Sequence, residues 1–445
     1  MWIKIGQLIL GLSLLVIVHE LGHFLFAKLF KCRVEKFYLF FNPWFSLFKF
    51  KIGETTYGIG WIPFGGYVKI SGMIDESMDT EQMKQPPKPY EFRSKPAWQR
   101  LLIMIGGVAM NVILAAAIYI GLSYKYGDSY ISAENAKYGF QFSELAQEIG
   151  FRNGDKILSI EGKPVDNYNE VFFSIILDQV KSVEVERNGE KVPVNIDPDF
   201  LPRILKEKKT FMAPLVPFVI YNVADNSGAQ LAGIINGDTI LTINGQPAFL
   251  SDQTLKTIGE NKGGQINMEI ARDSAGYRQI INKTIPVSEN GTIGVELTPF
   301  IALLDISKVE YNMISAIPAG FKRAGTEISN YLKQLKLMFK PKTEAYKSVG
   351  GFIAIGNIFP DTWSWYNFWN ITALLSIMLA VMNLLPIPAL DGGHVMFLLY
   401  EVITRRKPSD KFLEKAQMVG LVLLLALLLY ANGNDVFKLI SKWIS

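Results

Sequence analysis

Residues 19–23 read His-Glu-Leu-Gly-His. On a helix, His19 and His23 stand one turn apart and point the same way. Two imidazoles at that spacing can share one tetrahedral zinc ion, and Glu20 beside them can take a proton from a water at the metal. Histidine is scarce in this chain of 445 residues, with His394 the only other one, so the pairing carries weight. The motif also lies in an apolar run, where ionisable side chains are costly and usually functional. The competing explanation is a buried polar cluster with a structural role.

Two histidines leave a metal short of one protein ligand. The best candidate is Asp391, in the stretch Asn-Leu-Leu-Pro-Ile-Pro-Ala-Leu-Asp-Gly-Gly-His over 383–394. A carboxylate between an apolar run and two glycines has no evident solvated role, and a metal would neutralise it. The alternative is a helix-ending turn at Asp391-Gly392-Gly393.

These fragments need elements to hold them. Apolar residues make up 49% of the chain and charged residues 19%, which suits a membrane protein with a sizeable water-exposed part. The net charge of +4 is too small for a dedicated nucleic-acid binder, and no nucleic-acid partner is expected. Cys32 is the lone cysteine, so neither an intrachain disulfide nor a thiolate zinc cluster can form. Four runs, at about 5–30, 101–122, 363–390 and 412–430, are apolar enough to supply the roughly 20 residues that a bilayer span needs. The first follows Lys4 like a signal peptide, but no small-x-small cleavage site follows it, and it is read as a span.

Lysines and arginines set the expected orientation. The links between spans one and two and between spans three and four are basic, from Lys28 to Arg100 and from Arg405 to Lys415. Both are expected on the cytoplasmic side, with both termini and residues 124–361 outside. His19 then lies about 14 residues, or roughly 21 Å, from the outer end of its span. Asp391 falls near the inner end of the third span, so the two fragments are expected to meet on the cytoplasmic side of the midplane.

The outward segment repeats itself. Residues 146–164 and 229–247 match at an offset of 83, each with a turn at Asn-Gly-Asp (153–155 and 236–238), an alternating strand and a second turn. The pattern resembles the bacterial form of the PDZ domain, well over 212–298 and less well at 138–143. PDZ domains take an extended peptide as an added strand. Farther on, 315–339 is amphipathic and helical in pattern, with Phe321, Ile328, Tyr331, Leu332, Leu335 and Phe339 at helical spacing among lysines. It is expected to pack on the repeat or lie on the bilayer surface, with a substrate-guiding role as the alternative.

Taken together, His-Glu-Leu-Gly-His and 383–394 resemble the site-2 protease family of intramembrane zinc proteases. The repeats between spans two and three resemble its bacterial regulator-of-sigma-E protease branch. Gly58–Lys69 and Gly-Gly-Val-Ala-Met-Asn at 106–111 are further matches. One departure is Phe352 after Gly350-Gly351, where the family often has proline. The fold class implied is a polytopic α-helical membrane protein with four transmembrane helices, a membrane-dipping β-hairpin and two extracytoplasmic α+β PDZ domains. Its expected divisions are 1–123, 124–211, 212–299, 300–362 (an amphipathic helical linker) and 363–445.

By position, the resemblance implies that His19, His23 and Asp391 bind Zn2+. Glu20 is the general base and then the acid for the leaving amine. Asn383 holds the substrate backbone or the oxyanion, with a structural helix–helix bond equally open. His394 is read as structural or as a support for the ligands, direct catalysis being the lesser alternative. Alternating residues and turn signals in Gly58–Val68 suggest a hairpin whose edge could hold an unwound substrate, or else merely cap the bundle. The implied activity is cleavage of single-span proteins in the bacterial inner membrane after a first cut outside, such as membrane-bound anti-sigma factors, and of leftover signal peptides. The PDZ domains, as a size filter, could also bind peptide ligands. A non-catalytic scaffold is disfavoured because Glu20 is intact, and a metal transporter because no acidic pathway crosses the other spans.

Overall fold

A computed structural model describes residues 2–73, 85–132, 135–197, 200–206, 210–249, 252–274 and 277–444. The chain forms two compact units, one from Met1–Gly127 with Glu310–Ser445 and the other from Asp128–Val309.

In the first unit, helix α1 (Trp2–Leu29) carries the His-Glu-Leu-Gly-His motif. Four strands follow: β1 (Val34–Phe41), β2 (Phe48–Ile52), β3 (Thr55–Ile59) and β4 (Ile62–Ile70). They form one sheet in the order β2-β3-β1-β4. β3 lies parallel to β1, while β4 lies antiparallel to it. The stretch 58–68, expected as a hairpin, is therefore two strands on opposite sides of β1. Alternation reveals strands but not their pairing, and here Gly60 donates its N–H to the Leu39 carbonyl at 2.8 Å, which carries the chain past β1 instead of folding it back. β4 is left as an edge of the sheet. Helix α2 (Ala97–Tyr126) then crosses α1 where Gly22 meets Gly106. A Cβ on Gly22 would fall 2.2 Å from the Gly106 carbonyl oxygen, so the two backbones touch only because neither residue has a side chain.

The second unit contains both copies of the repeat. Its first part runs β5 (Asp128–Tyr130), β6 (Phe140–Phe142), α3 (Glu144–Ile149), β7 (Lys156–Ile160), β8 (Lys163–Pro164), α4 (Val171–Leu177), β9 (Ser182–Arg187), β10 (Glu190–Asn195), α5 (Leu201–Lys206) and β11 (Met212–Pro214). The second runs β12 (Phe218–Val223), α6 (Gly228–Leu231), β13 (Thr239–Ile243), β14 (Gln246–Pro247), α7 (Asp252–Glu260), β15 (Gln265–Ser274), β16 (Tyr277–Pro286) and β17 (Val295–Leu297), and β18 (Ser307–Val309) returns to pair with β5. The two copies are built alike. In one, strands order β10-β9-β7-β8; in the other, β16-β15-β13 extends to β12 and β17, with β14 also on β13. Each Asn-Gly-Asp turn is locked by an arginine from a distant strand. Arg187 grips Asp155 through Nε and Nη2 at 2.8 and 2.7 Å and also donates to the Gly150 carbonyl. Arg272 does the same to Asp238, both contacts at 2.7 Å, and to the Gly233 carbonyl. Both carboxylates are buried, so bidentate partners offset their desolvation.

The chain re-enters the first unit through α8 (Met313–Met338), capped by Asn312 and Ser315 in a reciprocal box. α8 packs along α2 and touches α10 (Trp365–Leu384). The helix expected on the repeat or on the bilayer surface thus packs on other helices of its own unit. The cause is a stripe of small residues: Ala316, Gly320 and Ala324 are buried, and Gly320 sits against the Ile120 backbone. Arg323, on the same side, stacks over Tyr119 and donates to Asn370 Oδ1 at 2.7 Å. The stretch expected as a helical linker from residue 300 opens with a short 3-10 turn (Phe300–Leu303) and strand β18 before α8 starts at Met313. Helix α9 (Phe352–Ile358) is held at its start by α12 (Asp410–Ile444), where Asp435 accepts from the Gly351 and Ala354 amides. Phe352 donates its N–H to Asn432 Oδ1 at 3.2 Å, a bond that proline could not make.

Helix α10 ends at Leu384, six residues short of the expected end of the third span. Pro386 and Pro388 stop it, and α11 (Asp391–Thr404) begins at Asp391 itself. Among the described residues, four helices are long and apolar enough to cross a membrane: α1, α2, α10 and the part of α12 from Lys411 to Ser441. The chain is a polytopic membrane protein with a large strand-rich insertion.

Candidate active site

α1, α2, α10 and α11 converge on the sequence-derived candidates. His19 and His23 are 7% and 8% exposed on the face of α1 that meets α2. Asp391 reaches them from the first turn of α11, where a carboxylate is favoured by the helix dipole. The turn before it is tight. A Cβ on Gly392 would lie 2.1 Å from the Leu385 carbonyl oxygen, so the residue after Asp391 must be glycine for α11 to fold back against the end of α10.

Three donor atoms face one another. His19 Nε2 and His23 Nε2 are 3.3 Å apart, and Asp391 Oδ2 lies 3.0 Å from the first and 3.3 Å from the second. Asp391 Oδ2 is buried with no hydrogen-bond donor aimed at it. Zinc bonds of about 2.0–2.1 Å in a tetrahedron give edges of about 3.3 Å between donors. The triangle seen here has those edges, and its two imidazoles and one carboxylate are a donor set that zinc accepts. On its remaining side, Gly107 of α2 leaves room. A Cβ there would sit 2.5 Å from His23 Nε2 and 2.8 Å from His19 Nε2, in the space an ion would need. The residues present fit the metal.

The ring orientation of His23 is set from behind. Its Nδ1 lies 2.9 Å from the Ile103 carbonyl, which accepts the Nδ1 proton and leaves Nε2 free as a ligand. Asn383, near the end of α10, brings its amide Nδ2 to 3.2 Å from His19 Nε2. Glu20 opens on a cavity of about 760 Å³ that the three donors share with Asn383 and with Gly65 to Ile70 of β4. The Val68 backbone interacts with the Glu20 carboxylate, so the sheet edge lies beside it. His394 also lines the cavity, but its Nε2 contacts the Gln417 amide of α12 at 2.7 Å. Arg100 of α2 pairs with Glu401 near the end of α11 and so fixes the helix that carries Asp391.

The structure thus brings together His19, Glu20, His23, Asn383 and Asp391, and places His394 one helical turn away. One contributor was missed by sequence reasoning. Gly107 belongs to the 106–111 match, but nothing in its type announces a role, which arises only from the α1–α2 crossing.

A membrane protein with two histidines and a carboxylate poised for zinc, and a glutamate beside them, is a metallopeptidase by its site chemistry. Residues 7–427 match Peptidase family M50, and the chain belongs to that family. Relatives of full length have been named. A Clostridium perfringens protein called "Putative zinc metalloprotease CPE1693" is 27% identical over 96% of this chain and 97% of its own. The regulator of sigma E protease of Haemophilus influenzae is 26% identical over 98% of this chain and 99% of its own. A Borreliella burgdorferi protein called "Putative zinc metalloprotease" is 28% identical over 97% of this chain and 98% of its own.

Proposed function

We propose that this metalloprotease is a zinc-dependent intramembrane endopeptidase that cuts single-span proteins within their transmembrane segments. The observation that carries the reading is the His19–His23–Asp391 triangle, with Glu20 beside it, built on helices of membrane-spanning length. His19, His23 and Asp391 hold the metal. Bound zinc supplies a water of lowered pKa and polarises the scissile carbonyl. Glu20 takes the proton of the attacking water and passes it to the leaving amine nitrogen as the C–N bond breaks. Asn383 donates from its amide to the carbonyl oxygen as charge builds there.

A helical amide is closed by its own hydrogen bonds, so the substrate must unwind first. β4 suits that task, because it is an edge of its sheet and its residues line the cavity. An unwound segment adds to it as a further strand and lies across Glu20. This role passes to β4 alone, since the expected hairpin does not form.

We read the two repeated units as PDZ domains that lie outside the cytoplasm and restrict entry to substrates already trimmed there, with anti-sigma-factor-like proteins and leftover signal peptides as the substrate classes. The basic links point to a bacterial inner membrane with both termini outside. The test is cleavage of a tagged single-span reporter by purified full-length protein, wild type beside Glu20→Gln, with and without a zinc chelator. Loss of cleavage in both the variant and the chelated sample supports the reading. Cleavage that persists in Glu20→Gln contradicts it.

A further inference from the structure

We infer that Asn111 of α2 is the positioning residue for His19: its amide oxygen accepts the His19 Nδ1 proton and so keeps Nε2 available to the metal. This deepens the proposed function and rests on its metal site. His23 has a backbone carbonyl behind it for this purpose, but among the described residues no carbonyl stands within hydrogen-bond reach of His19 Nδ1. What stands behind His19 is the Asn111 amide, with Nδ2 at 3.2 Å from Nδ1. Asn111 is completely buried, and its Oδ1 has no partner.

Those facts decide the orientation in the working site. An imidazole that binds metal through Nε2 carries its proton on Nδ1, and that proton needs an acceptor. An amide nitrogen cannot accept it. A half-turn of the amide exchanges nitrogen and oxygen in the same space, and it gives the unpartnered oxygen a donor. Among the described residues no other group bonds the side chain, and the Asn111 backbone carbonyl is separately engaged by Ser376 Oγ of α10 at 2.8 Å. Asn111 stands one helical turn beyond Gly107, so one face of α2 makes room for the ion and orients the ring that binds it.

The test is zinc affinity of full-length protein in detergent, by competition with a chromophoric chelator, with thermal unfolding of the metal-free protein alongside. Asn111→Leu keeps the branched outline and removes the acceptor, and its zinc dissociation constant is expected to rise about 10- to 100-fold. Asn111→Asp keeps an acceptor that cannot turn away, and it is expected to bind zinc at least as tightly as wild type. Ser376→Ala breaks only the backbone tie and is expected to leave affinity unchanged. Equal affinity in Asn111→Leu and wild type would overturn the role. So would an Asn111→Asp protein that folds yet binds as weakly as Asn111→Leu, a comparison that Asn111→Ala completes should the leucine not fold. Wild-type protein without one tightly held zinc would instead overturn the metal site, and with it everything built on that site.

Discussion

Gly107 of α2 and His23 of α1 approach so closely that a methyl group on the glycine would sit 2.5 Å from the histidine Nε2. The second helix is thus a wall of the metal site, although it donates no ligand. Gly107→Ala is expected to lose zinc and at least about 100-fold of activity, the upper end of what perturbing a ligand's surroundings costs. Gly121→Ala, on the same helix with nothing within 4 Å, is the control. It should keep zinc and gain about 0.5–1 kcal/mol of stability. Zinc content after gel filtration separates the two.

Asp391 is held in place from the far end of its helix. Arg100 and Glu401 pair with little exposure of either side chain, and they tie α11 to α2. Removing one partner leaves a buried charge, so Glu401→Ala and Arg100→Ala should each destabilise by about 3–5 kcal/mol. They should also lower turnover more than they raise KM, because the ligand moves and the substrate groove does not. The exchanged pair, Arg100→Glu with Glu401→Arg, should recover much of both, as a thermal unfolding and rate comparison would reveal.

The same physics applies in the second unit. Among the described residues, Arg272→Met leaves buried Asp238 with the Ile235 amide as its one remaining side-chain partner, and it should destabilise its copy of the repeat by about 3–5 kcal/mol. Hydrogen exchange in β13 and β15 should speed up, while peptides from β7 and β9 stay protected. Arg187→Met should give the reverse pattern. Acceleration in both copies from either change would mean that they unfold as one.

If the repeats act as a size filter, a reporter trimmed outside should be cut faster than its intact parent by full-length protein. Equal rates for the two reporters would remove the filter from the account.

The parts of this molecule that show in the sequence are those written in consecutive residues. His19 and His23 show because helix periodicity alone aligns them, and Asp391 because an apolar neighbourhood makes a carboxylate conspicuous. The repeat shows through its Asn-Gly-Asp turns. What stays hidden depends on which elements meet. Alternation marked 58–68 as extended, but only the structure shows β1 between β3 and β4. Arg187 and Arg272 escape notice because they sit two residues out of step with the repeat they lock. The hydrophobic face of 315–339 was legible, whereas its docking on α2 depends on Gly320, a residue that amphipathic patterning ignores. Pro386 and Pro388 signal a break, and an apolar run read through them lengthened the third span beyond Leu384.

The proposed function requires that a peptide bond be hydrolysed inside an apolar span by this zinc site. The most direct measurement is the mass of the products released from a trimmed single-span reporter in proteoliposomes. The expected result is a cut within the apolar segment, absent with Glu20→Gln or after zinc removal and restored when zinc is returned. A cut confined to the water-exposed flanks, or one indifferent to zinc and to Glu20, would contradict it.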